Sequence, residues 1–128
     1  MNIPNQTERK MPTEKAIRSH WVDRLWKIKG FDCPEEFMEP GVCFACTMVY
    51  GILNGKGCIE RAHIKARVAG GDDSLENLHM LCPVCHKDSE FIPIENYMGW
   101  LVSRNSLDMI ISAAIKRGFN PSRLLNPI

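Results

Sequence analysis

The chain has 128 residues, 45% of them hydrophobic, which predicts one domain with a small core. Its formal net charge of +1 excludes a polybasic nucleic-acid coat, so any basic surface must be local. No apolar run approaches the roughly 18 residues that span a bilayer, and the N-terminus lacks the apolar core of a signal peptide. We therefore expect a cytoplasmic protein with no membrane partner.

The N-terminal region predicts a polar tail followed by a helix. We expect residues 1–12 to form a disordered tail and residues 13–128 to form the single domain. Thr13 is a candidate N-cap, and apolar residues recur after it at helical spacing. The pattern predicts a helix over residues 14–29 that ends at Gly30.

The middle of the chain predicts short strands joined by turns. Asn54-Gly55 lies between two apolar runs, which favours a hairpin whose second strand covers residues 58–64. Residues 67–76 are polar and glycine-containing, and they predict an exposed loop. A short strand over residues 77–81 and a short helix that begins at residues 82–85 follow.

Prolines and glycines mark the remaining boundaries. The segment 31–42 contains two prolines and predicts a loop. Two further helices are predicted over residues 93–103 and 106–117. Ser106 is a candidate cap for the second of them, and Gly118 ends it.

Four of the six cysteines occur as two C-x-x-C pairs about 35 residues apart. They are Cys43 and Cys46, then Cys82 and Cys85. In a reducing compartment this pattern favours one tetrahedral zinc site over disulfides. The alternatives are two unrelated pairs of buried thiols and a redox C-x-x-C motif. Cys33 and Cys58 are expected to be buried structural thiols.

Further motifs between and around these cysteines resemble a known family. They are Cys43-x-x-Cys46, Ala62-His63-Ile64, Gly70-Gly71, Leu75-Glu76-Asn77-Leu78 and Leu81-Cys82-Pro-x-Cys85-His86. Together they are similar to the HNH endonucleases of the four-cysteine type, and the resemblance covers about residues 43–90. It implies an α+β fold with a ββα-metal (His-Me finger) core and a four-cysteine zinc site, here with helices on either side.

The resemblance also implies roles for three residues. His63 matches the general base that takes a proton from the attacking water, and His86 matches a ligand of the catalytic cation. Asn77 matches the central Asn, which either orients the base through its loop or joins the metal shell. The implied cofactors are a structural Zn²⁺ and one catalytic divalent cation, namely Mg²⁺, Mn²⁺, Ni²⁺ or Zn²⁺. The chemistry agrees, because a zinc ion closed in by four cysteines has no open coordination position for a substrate.

Position 62 departs from the family pattern. Many members carry Asp or His immediately before the base, where it binds the catalytic metal, but this chain has Ala62. Alternation along a strand puts Glu60 on the same face, so Glu60 is a candidate ligand in its place. The alternatives are that Glu60 is solvated or pairs with Arg61 or Lys65, and that the cation site is degenerate.

The other two histidines have less defined roles. His79 shares a strand face with Asn77 and Leu81, where it is either a ligand or phosphate contact or a surface or packed residue. His20 lies on the apolar stripe of the first predicted helix, so we expect it to be structural.

Basic residues near His63 and His86 are the candidate contacts to nucleic-acid phosphates. They are Arg61, Lys65, Arg67 and Lys87. The expected partner is double-stranded DNA, and a homodimer that engages both strands is compatible with the nearly neutral charge.

The sequence as a whole favours a metal-dependent endonuclease that hydrolyses phosphodiester bonds in DNA, of bacterial or phage type. The alternative is a non-catalytic, zinc-containing nucleic-acid-binding module, which Ala62 favours. A zinc deaminase fits less well, because His63 is not followed by x-Glu and Cys82 is not preceded by Pro.

Overall fold

A computed structural model describes residues 10–50 and 59–120. The Asn54-Gly55 turn, Cys58 and residues 1–9 of the predicted tail lie outside the described residues. The described residues form the following helices and strands: α1 (Glu14–Leu25), α2 (Pro34–Phe37), β1 (Glu60–His63), β2 (Leu78–Leu81), α3 (Pro83–Ser89), α4 (Ile94–Ser103) and α5 (Ser106–Lys116). The fold is α+β, as predicted. None of the helices in the described ranges has the length and apolarity needed to cross a bilayer.

The sheet consists of β1 and β2, which pair antiparallel with Ala62 opposite His79 and His63 opposite Leu78. Helix α3 follows β2 directly and contacts both strands. The order β1, β2, α3 is the ββα arrangement that the motifs predict. Residues 67–76, predicted as a loop, separate the strands and contain only short 3-10 turns at Arg67–Ala69 and Leu75–Asn77.

Helix α1 begins where the sequence predicts. The Thr13 side chain accepts a hydrogen bond from the backbone N–H of Ala16 at 3.1 Å, so it caps the helix. The regular helix ends at Leu25, and hydrogen-bonded turns continue to Gly30 at φ +86°. The Phe31 N–H closes these turns by donating to Trp26 O at 3.0 Å, so the helical segment stops at the predicted glycine.

Two side chains of α1 hold the ends of the motif together. Arg18 is 1% exposed and donates to the carbonyl oxygens of Phe37 and Val42 at 3.0 and 2.7 Å. Trp21 donates its indole N–H to Leu78 O at 2.8 Å. These three bonds satisfy carbonyl groups that would otherwise be costly to bury. The N-terminal helix therefore fixes the loop before the first cysteine pair against the start of β2.

One carboxylate on α3 contacts residues of α5 and of the segment that follows α4. Asp88 accepts hydrogen bonds from Arg104 and Lys116, both at 2.6 Å, and from Ser112 at 2.7 Å. The side chain of Asp88 is only 18% exposed, so these charge-assisted bonds are screened less than surface ion pairs. Helix α5 is thereby held against the helix that follows the second cysteine pair.

Two local predictions are wrong. Residues 31–42 are not all loop, because α2 occupies Pro34–Phe37 with Pro34 at its first position, where the missing N–H costs nothing. The cap of α5 is Asn105 rather than Ser106. Asn105 and Asp108 form a reciprocal capping box that satisfies two backbone N–H groups.

Candidate active site

The four paired cysteines converge on one point. All four are fully buried, and their Sγ atoms lie within 4.8 Å of one another. A tetrahedral zinc site with Zn–S bonds near 2.3 Å needs sulfurs about 3.8 Å apart, and the Sγ atoms of Cys46 and Cys82 are 4.0 Å apart. The cysteines are therefore positioned to hold a metal such as zinc, as predicted.

One positively charged group lies beside the four sulfurs. Arg104 donates from Nε to the Sγ of Cys85 at 3.1 Å and places a positive charge beside it. Among the thiols themselves, the hydrogen bond with Cys43 lowers the pKa of Cys82 to about 6, whereas burial raises the pKa of Cys43 and the hydrogen bond with Cys43 raises the pKa of Cys85. Donors of this kind orient and tune the ligands of a metal site.

His63 ends strand β1 and faces an acidic residue of the following loop. Its Nε2 lies 2.8 Å from Oδ1 of Asp73, and its side chain is 19% exposed. A carboxylate in this position fixes the ring and keeps a proton on Nε2, which leaves the lone pair on Nδ1. Asp73 was not predicted as a site residue. The adjacent acids that follow Gly70-Gly71 are the sequence signal for it.

Asn77 binds the loop that carries Asp73. Its Oδ1 accepts from the Lys65 N–H at 2.8 Å, and its Nδ2 donates to the carbonyl oxygens of Lys65 and Asp72 at 3.0 and 2.8 Å. Gly71 fits beneath this network only because it has no side chain: a Cβ there would overlap the Lys65 carbonyl oxygen. Asn77 thus ties the chain after His63 to the loop that bears Asp73.

Glu60 and His86 meet on the outer side of the sheet. Oε1 of Glu60 lies 2.7 Å from Nδ1 of His86, and both side chains are partly exposed. Ala62 shares the strand face of Glu60 but is fully buried. The Glu60 carboxylate thus pairs with His86 on the adjacent helix α3 and not with Arg61 or Lys65. At this distance a carboxylate oxygen and an imidazole nitrogen can act as two ligands of the same divalent cation.

His79 lies in the core, whereas His63 and His86 are partly exposed. It is fully buried, its Nδ1 is 2.9 Å from the Tyr97 hydroxyl, and its ring packs edge-on against Trp21 with centroids 4.4 Å apart. Burial lowers the pKa of His79 to about 3. His79 is thus packed, one of the two readings that the strand pattern left open.

His20 on α1 is partly exposed and contacts Glu76, which precedes β2. Its Nε2 lies 2.6 Å from the Glu76 carboxylate, which Arg24 also binds at 2.9 Å. This agrees with the structural role predicted for His20.

His63 and His86 both line an open groove of about 770 Å³. Lys65 and Arg67 of the predicted phosphate contacts line it too, as does the acidic Glu90.

The other two predicted phosphate contacts lie outside this groove. Lys87 lines a neighbouring hollow with Glu60 and Lys116. Arg61 lines neither hollow and donates from Nε to the carbonyl oxygen of Pro12 at 2.8 Å. The predicted basic group is therefore divided among three places on the surface.

The fold and site define an α+β protein in which a four-cysteine metal site supports a ββα unit with two partly exposed histidines. The family model described as HNH endonuclease matches residues 53–90, and the four cysteines are positioned to bind a metal, which is consistent with an HNH domain of the zinc-containing type. Searches of curated proteins and of solved structures found no match. The domain indicates nuclease activity in general.

Proposed function

We propose that the protein is a metal-dependent endonuclease that hydrolyses phosphodiester bonds in DNA. The observation that carries the proposal is the groove shared by His63 and His86, in which His63 is oriented by Asp73 and His86 is paired with Glu60. A base and a cation site on one groove are the two elements that metal-assisted hydrolysis needs. Lys65 and Arg67 line the same groove and suit an anionic backbone.

In the proposed reaction, His63 accepts a proton from water at Nδ1. Asp73 holds Nε2–H and stabilises the imidazolium that forms. Asn77 acts on this pair indirectly, because its three bonds fix the spacing between Lys65 and Asp72. A positioned base contributes typically 10²–10⁴-fold to such a rate. Asn77 is therefore a positioning residue in this scheme.

Glu60 and His86 are the residues that would hold the catalytic cation. A divalent ion bound there supplies Lewis acidity that offsets the charge developing on the phosphate and the leaving oxygen. Glu90 lies one helical turn after His86 and lines the same two hollows, so it is an additional acidic group near this pair. His86 follows Cys85 directly on α3, so the cysteine site fixes the helix from which His86 projects.

A plasmid-nicking assay tests the proposal. Protein treated with EDTA should be inactive, and Mg²⁺, Mn²⁺, Ni²⁺ or Zn²⁺ should each be added back to find the cation that restores nicking. Glu60→Gln should raise the cation concentration for half-maximal activity by about tenfold, because a neutral amide is a weaker ligand. Glu35→Gln, an exposed change on α2, is the matched control.

The competing function is a non-catalytic, zinc-containing module that binds nucleic acid. Ala62 is the observation that favours it, because a fully buried alanine stands where the family pattern has a ligand. Retention of DNA binding with no cleavage under any of the four cations would support the module and contradict the nuclease.

A further inference from the structure

The groove that contains His63 and His86 has an apolar wall that hydrolysis itself does not require. Val68, Ile92 and Ile94 line this wall. Val68 is fully exposed, and Ile94 is 53% exposed. Single exposed aliphatic residues are common on protein surfaces, but three that line one groove give that groove an apolar part that a ligand can cover.

The charges in the same groove complement a nucleic acid only weakly. Lys65 and Arg67 provide two cations, and Glu90 offsets one of them. A protein that binds duplex mainly through its phosphates needs many more cations, because that affinity comes from counterion release at each phosphate contact. For a nucleic acid held in this groove, the few charges of its described residues leave a share of the affinity to apolar contact.

We propose that the groove binds unpaired nucleotides, so that the preferred substrate is single-stranded nucleic acid or an unpaired stretch within a duplex. The proposal rests on the nuclease function proposed above. In a paired duplex the base faces are covered by their neighbours, and the backbone would present phosphates and sugars to Val68 and Ile94. Unpaired bases expose apolar faces, which can pack on this wall while Lys65 and Arg67 contact the flanking phosphates.

Binding measurements test the proposal separately from catalysis. The protein with His63→Ala is titrated against a fluorescent single strand, the matching full duplex and the same duplex with an internal unpaired loop. We expect the single strand and the looped duplex to bind at least about tenfold tighter than the full duplex, since burying one aliphatic side chain against a base contributes about that much. Equal or tighter binding of the full duplex, or binding to none of the three, would overturn the proposal.

Variants of the wall test which residues make the contact. Val68→Ser and Ile94→Ser should each weaken single-strand binding about fivefold, because part of one aliphatic side chain's burial is lost, and leave duplex binding unchanged. Leu107→Ser, at a 61% exposed position on α5 outside the groove, is the control and should change neither. Because Val68 is fully exposed, its serine variant keeps the fold. If both wall variants match the Leu107 control, the wall does not bind bases.

Cleavage of the same three substrates by the unmodified protein separates the two proposals. Single-turnover cutting that follows the order of binding supports both. Cutting confined to the full duplex would contradict the inference and leave the nuclease function standing. Preferential binding of unpaired substrates without any cutting would support the inference and contradict the nuclease.

Discussion

Acid should destabilise this protein through one buried histidine, and the effect can be calculated from its surroundings. His79 is enclosed by Trp21, Phe44 and Tyr97, and burial lowers its pKa to about 3. In the unfolded chain the pKa of a histidine is about 6.5. Between those two values the unfolded chain binds more protons than the folded protein, so the free energy of unfolding falls as the pH falls through about 6.5.

The expected size follows from the two pKa values. Linkage gives a loss of about 1.4 kcal/mol in the free energy of unfolding between about pH 7.5 and pH 5.5 from His79 alone. A domain of this size has a stability of only about 5–15 kcal/mol, so the loss is measurable.

Urea unfolding of the zinc-loaded protein at the two pH values provides the assay. His79→Asn is the comparison variant, because its amide can face the Tyr97 hydroxyl and does not titrate. The variant should show a pH dependence smaller by about 1.4 kcal/mol, because all other residues are the same in the two proteins. Zinc content at the lower pH should be checked in both. An identical pH dependence in the two proteins would refute the account of His79.

Three further changes have defined outcomes. Gly71→Ala should reduce cleavage at least about 100-fold, which is the effect expected when a catalytic group is misplaced. The reason is that the added Cβ overlaps the Lys65 carbonyl oxygen and lies 2.9 Å from Asn77 Nδ2. Unchanged cleavage would contradict this prediction. Cys82→Ser should lose stoichiometric zinc and cooperative thermal unfolding, because structural zinc contributes about 10 kcal/mol or more to folding; retained zinc would show that the four sulfurs do not bind it together. Asp88→Asn should lower the free energy of unfolding by about 2 kcal/mol through its contacts with Arg104 and Lys116, and a midpoint of urea unfolding within error of the unmodified protein would contradict this.

Features set by neighbouring residues could be predicted from the sequence. The cap at Thr13, the end of the first helical segment at Gly30 and the two cysteine pairs each depend on a few adjacent positions, and all three appear in the structure. Helix α2 was missed for a related reason. Pro34 was interpreted as a loop signal, although a proline at the first position of a helix favours it.

The role of His79 depended on packing that no strand pattern encodes. Alternation distinguishes two faces only when one of them is exposed, and all four residues of β2 are buried. Whether His79 is buried therefore depends on which elements cover the sheet. Helices α1 and α4 cover it, with Trp21 and Tyr97 packed against His79.

The contacts within the site also required the fold. Asp73 lies ten residues after His63, and Glu60 and His86 are twenty-six apart, so the loop and α3 must fold back before the pairs form. Arg104 shows the same limit. No local pattern links it to Cys85 or Asp88, nineteen and sixteen residues earlier, yet the structure brings it to both.

The most direct test of the central claim is the cleavage rate of His63→Ala beside its zinc content. The claim is that the four cysteines bind a zinc ion that stabilises the fold, whereas His63 takes the proton from the attacking water. The account predicts one zinc per chain, unchanged thermal unfolding and cleavage reduced at least about 100-fold, in the range lost with a general base. A variant that cuts plasmid as fast as the unmodified protein, with its zinc in place, would contradict the account.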